Sequence, residues 1–192
     1  MLPNTGDGTD GGDNWTAVIN ALNTMMTDLY TGAVTVGGSS TVARGPELVL
    51  SSDVTQIGSS ATNTTQTLKS YTLAASTLAT NGNRIQVVAW GTFAGNAAPK
   101  TMQLNWGGMN INNGAVTQSG SSWQMTANVY RTAANAQTAI FTGVSGGVNT
   151  ATKATTDTSV DTGTIGISVQ GLDASAAQSN ILTNGLVVSF FS

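Results

Sequence analysis

Cysteine and histidine are both missing from this chain of 192 residues. Without cysteine there can be no disulfide, thiolate metal site or thiol nucleophile, and the redox compartment leaves no mark on the sequence. Without histidine the usual general base near neutral pH and the commonest transition-metal ligand are gone as well. Charge is scarce: 8% of residues carry one, and the net charge is −3. The basic residues Arg44, Lys69, Arg84, Lys100, Arg131 and Lys153 stand singly along the chain. A groove that tracks phosphates needs clustered cations, so nucleic acid is not an expected partner. No apolar run approaches the ~20 residues that a bilayer requires, so no membrane insertion is expected. The opening MLPNTGDGTDGGD lacks the basic start and apolar run of a signal peptide, and the chain is expected to be made in the cytoplasm without export by that route.

What the chain has instead is uncharged polarity. Thr, Ser, Asn and Gln together make up 75 of the 192 residues. A surface built from these groups presents few charges to repel a neighbouring copy of the same chain. The hydrophobic content of 40% suffices for one full core, which gives one globular domain and a smaller appendage.

Residues 82–131 carry the clearest pattern. Ile85, Val87 and Ala89, then Met102, Leu104 and Trp106, then Trp123, Met125, Ala127 and Val129 each alternate with other residues, most of them polar, and Gly/Asn/Ser-rich turns separate the three runs. Period-two alternation means strands with one core face and one outer face. Strands are expected at 68–74, 84–93, 100–111, 122–132, 137–144, 148–155, 163–171 and 184–191. The last run, Leu186-Val187-Val188-Ser189-Phe190-Phe191, is apolar on both faces, so it is central in a sheet or lies at a subunit interface.

Ahead of the strands lies one helical pattern. Trp15, Val18, Leu22, Met25 and Leu29 recur at intervals of three and four, with Asp13 or Asn14 as N-cap and Gly32 as a stop. So short a helix is marginal in water alone. It is expected to find sister helices or a docking surface, the other reading being that it lies on its own β-domain. The expected division is a leader and helix at 1–32, a neck at 33–58 with short strands at 33–36 and 47–50, and a β-domain at 59–192. The fold class is mainly β, an antiparallel jelly-roll sandwich with a short N-terminal helix.

Few motifs carry chemistry. Asp7, Asp10 and Asp13 in the Gly-rich leader are spaced by three, unlike a calcium loop with its alternate ligands and closing Glu; a flexible acidic leader is the simpler reading and calcium the alternative. Asp157 and Asp161 form a carboxylate pair of the kind used in glycoside hydrolysis, set in a loop with no visible cleft. Trp90, Trp106 and Trp123 offer a sugar-stacking platform, although aromatics on alternating strands usually face a core or an interface. Serine is plentiful, but there is no His partner and no G-x-S-x-G elbow. Neither enzyme activity nor a cofactor is expected.

Residues 70–140 resemble a jelly-roll module of fibre and surface proteins from tailed bacteriophages. The resemblance rests on Ser70-Tyr71-Thr72-Leu73, Asn81-Gly82-Asn83 before Ala89-Trp90-Gly91-Thr92-Phe93, Lys100-Thr101 leading to Gly107-Gly108, and Trp123 with Arg131-Thr132. The leader, with Leu2-Pro3-Asn4-Thr5-Gly6-Asp7, Trp15 and Leu22-Asn23, is similar to the start of many such fibres. The resemblance implies a homotrimer on the virion surface. Leu2, Pro3 and Trp15 would anchor it to other virion proteins of capsid or tail. Trp15, Val18, Leu22, Met25 and Leu29 would meet at the trimer axis, and the β-heads would face outward toward a host surface glycan. A capsid decoration or cement protein and a carbohydrate-binding module are the competing expectations.

Overall fold

The computed structural model describes residues 20, 22–23, 33–36, 40–43, 47–146 and 148–192. The chain divides into two compact units, Met1–Pro46 and Glu47–Ser192. In the first, β1 (Ala33–Val36) and β2 (Ser40–Ala43) form an antiparallel hairpin in which Ala33 faces Ala43. Leu2, Pro3, Trp15, Val18, Met25 and Leu29 lie outside the described residues. Asn20, Leu22 and Asn23 are helical, and Leu22 is 53% exposed.

The second unit is built from β3 (Leu48–Asp53), β4 (Ile57–Gly58), β5 (Gln66–Leu73), β6 (Arg84–Phe93), β7 (Lys100–Trp106) and β8 (Met109–Val116), followed by β9 (Ser121–Ala133), β10 (Ala136–Ser145), β11 (Val148–Asp157), β12 (Ile165–Asp173) and β13 (Ile181–Phe191). They form two antiparallel sheets. The larger runs β11-β10-β9-β6-β13-β3, with β4 also on β13, and the smaller runs β5-β12-β7-β8. From β3 onward the chain passes repeatedly from one sheet to the other.

Alternation sets which face is buried. Along β6 every second residue from Ile85 to Phe93 is buried, and along β7 the same holds for Met102, Leu104 and Trp106. Inward residues of the two sheets share one cluster, among them Val188, Phe141 and Met125 from the larger sheet and Ile167, Val169 and Ile111 from the smaller. Each large side chain so buried contributes about 1.5–3 kcal/mol. The Lys69 ammonium on β5 meets the Asp53 carboxylate on β3 at 2.7 Å, which links an edge strand of one sheet to an edge strand of the other.

Two sequence expectations change. The boundary falls at Glu47 instead of residue 59, because β3 and β4 pair with β13 and so belong with the larger sheet. The single strand expected at 100–111 is a hairpin of β7 and β8 turning at Gly107 and Gly108. Gly107 has φ +55°, a conformation open to glycine at little cost. The apolar last strand, β13, takes the first of its two expected positions: it is central, with β6 on one side and β3 on the other.

Candidate functional site

The carboxylates that suggested acid–base chemistry serve as braces. Asp161 accepts from Arg131 Nε at 2.8 Å, from the Asn135 backbone N–H at 2.7 Å and from Gln137 Nε2 at 2.6 Å. Asn135, with φ +55° in the β9–β10 turn, returns the contact by accepting from the Asp161 N–H at 3.0 Å. Burial opposes ionisation of Asp161, but the bonds from Asn135, Arg131 and Gln137 and the Arg131 charge outweigh it and hold the carboxyl below its ordinary value. Asp173 is similar. Burial is again opposed, here by Ser175, Asn180 and the Ala177 backbone, and the balance lies below the ordinary value. Asp157 bonds Ser159. Neither Asp161 nor Asp173 is poised to donate a proton near neutral pH. Among the described residues no three acidic side chains gather to hold a metal ion, and Asp7, Asp10 and Asp13 lie outside them.

The three tryptophans part company. Trp106 is 0% exposed and Trp123 is 2% exposed, so both belong to the core and a three-indole sugar platform does not exist. They sit at inward positions of β7 and β9, where alternation directs them away from solvent. Trp90 stands at an outward position of β6 and is half-buried.

Trp90 borders a cavity of about 370 Å³. Thr92 follows it on the same outer face of β6, and Ser122 and Gln124 flank them on β9, where Thr92 pairs with Ser122 and Trp90 with Gln124. On the other side Asn184 is the bulge residue of β13, where the register slips between Thr183 and Gly185. A bulge turns a side chain out of the regular alternation, and Asn184 Oδ1 accepts from Gln56 Nε2 at 2.8 Å. The buried indole of Trp123 reaches the cavity from the core side. Its Nε1 is buried with no hydrogen-bond partner, as is that of Trp106. None of the cavity's eight lining residues is charged.

Two glycines make room for the indoles. A Cβ on Gly185 would fall 2.2 Å from Trp90 Cζ2, and one on Gly91 would fall 2.6 Å from Trp123 Cζ2. Adjoining loops are held firmly. The buried Lys100 ammonium donates to the carbonyls of Asn96, Ala98 and Gln118. Gln118 Oε1 accepts from Ser121 at 2.8 Å and from Ser145 at 2.6 Å, tying the β8–β9 loop to β10 beside the cavity.

The cavity lies at one end of the larger sheet. Leu48, where the chain enters this unit, pairs with Phe190, whereas Thr92 pairs with Leu182. The eight steps from Leu182 to Phe190 along β13 span about 27 Å at ~3.4 Å per residue. Entry point and C-terminal strand end are therefore at one end, and the cavity is at the other. Trp90 was visible in the sequence as a possible contact. Thr92, Ser122, Gln124 and Asn184 were not, since only the Asn184-Gly185 break in an otherwise apolar run hinted at a bulge. Comparison with known protein families, with curated proteins and with solved structures finds no match to this chain.

Proposed function

We propose that this chain is a non-enzymatic structural protein of a tailed-bacteriophage virion. In this reading it is a short homotrimeric fibre, joined to capsid or tail through its N-terminal segment. Its β-region is a jelly-roll head that faces outward and serves attachment to the host surface. The observation that carries the reading is the strand order. Within the larger sheet β3-β13-β6-β9 stand side by side, and β5-β12-β7-β8 make up the smaller. This supports an eight-stranded jelly roll of two Greek keys, with β10 and β11 as an added hairpin on one edge. The resemblance of residues 70–140 to phage fibre modules points the same way.

Placement within the unit fits an outward head, because the chain enters at one end of the larger sheet and the cavity lies at the other. A non-enzymatic role is supported by carboxylates held ionised in structural braces. Immunogold labelling of intact particles from the phage that encodes the chain tests the proposal. Label on the capsid or tail is expected, and purified particles free of the protein would overturn it. A carbohydrate-binding role is the second reading, favoured by the uncharged cavity beside Trp90.

A further inference from the structure

We infer that the cavity beside Trp90 is a binding subsite for a single neutral pyranose unit of a glycan. This rests on the attachment role proposed above and names its ligand class. The cavity volume of about 370 Å³ is at the scale of small-ligand pockets. Its walls combine an aromatic plane with uncharged hydroxyls and amides. The half-buried indole of Trp90 offers a face for the C–H side of a sugar ring, while Thr92, Ser122, Gln124 and Asn184 offer donors and acceptors for ring hydroxyls. An apolar ligand would leave those polar groups without partners. An anionic sugar would find no cation, since none of the lining residues is charged.

The edge of the Trp123 indole backs the cavity, while its N–H, like that of Trp106, is buried. The site is also preorganised. Gly185 lets Trp90 lie close against β13, the bulge at Asn184 turns an amide toward the rim, and Lys100 and Gln118 fix the neighbouring loops. Rigid walls keep binding from having to order side chains.

The test is saturation-transfer NMR on the full-length protein with the methyl glycosides of glucose, galactose, mannose and N-acetylglucosamine, and with methyl glucuronide as the charged counterpart. At least one neutral glycoside is expected to bind with a dissociation constant of about 1–10 mM, as for a ligand of this size. Trp90→Ala is expected to weaken it about tenfold or more. Gly185→Ala, which pushes the indole off its seat, and Gln124→Ala are expected to weaken it as well. Thermal melts of each variant confirm folding, and the latter two variants keep the test valid if Trp90→Ala does not fold. The assignment is overturned if no neutral glycoside binds, if binding is unchanged in all folded variants, or if the glucuronide binds as tightly as the neutral sugars. Light scattering on the same samples separates the two proposals. A trimer that ignores sugars sinks only this site, and a monomer that binds them sinks only the fibre reading.

Discussion

The indole of Trp90 on β6 rests against the Cα of Gly185, its cross-strand partner on β13, so closely that a Cβ there would sit 2.2 Å from Cζ2. At Gly91, one residue along β6, an added Cβ would instead meet the Leu182 carbonyl oxygen at 1.8 Å. The two positions differ in what must give way. A half-buried indole can swing outward, whereas a backbone carbonyl within a sheet cannot. Gly185→Ala is therefore expected to cost about 1 kcal/mol and to change the Trp90 fluorescence. Gly91→Ala is expected to cost about 3 kcal/mol or more, as overpacking against fixed backbone does. Urea unfolding monitored by circular dichroism distinguishes them.

Lys100 is 0% exposed and has three backbone carbonyls, not a carboxylate, around its ammonium. Lys100→Met keeps the stem but leaves those carbonyls without their donor. The expected loss is about 2–4 kcal/mol, set by buried acceptors left unpaired. Hydrogen exchange should speed up first in the loops at 94–99 and 117–120.

How much of this was legible in the sequence depended on the period. β6 was readable to the residue because Ile85, Val87, Ala89 and Phe93 keep strict alternation between clear turn signals. The hairpin of β7 and β8 was not, because Gly107-Gly108 is short and apolar residues resume at once with Met109 and Ile111, so two strands read as one. The β3 pairing was hidden for another reason. Gly45-Pro46 looked like the middle of a neck, and only the long-range partner Phe190 reveals Leu48 as part of a sheet. At the cavity, Trp90 drew notice by its chemistry. Thr92, Ser122 and Gln124 are indistinguishable by type from dozens of other outward polar residues, and cross-strand register alone brings them together.

Stability should vary little with pH across the neutral range, since no histidine or cysteine titrates there. The acid limb belongs to the braced carboxylates. Asp161 and Asp173 have folded-state values held below the ordinary one, near ~3.9 when unfolded. Folding therefore releases protons near that pH. Their contribution is full above about pH 4–5 and is lost as pH falls through the folded values. Melting temperature against pH should be flat from about 5 to 8 and fall below about 4. Asp161→Asn should flatten the fall and lower the plateau, by about 3 kcal/mol where a buried ion pair loses one member.

The strands and core of Glu47–Ser192 form a compact unit. A chain trimmed to Glu47–Ser192 is accordingly expected to give a cooperatively melting β-protein with the saccharide response of the full chain. Loss of the sharp thermal transition on trimming would show that the preceding residues are needed for the core.

The proposed fibre is an assembly of three chains, so the mass of the protein in solution decides for or against it. Multi-angle light scattering behind a sizing column, at micromolar concentration, is expected to give the mass of three chains. The mass of a single 19.4 kDa chain at every concentration would contradict the fibre reading.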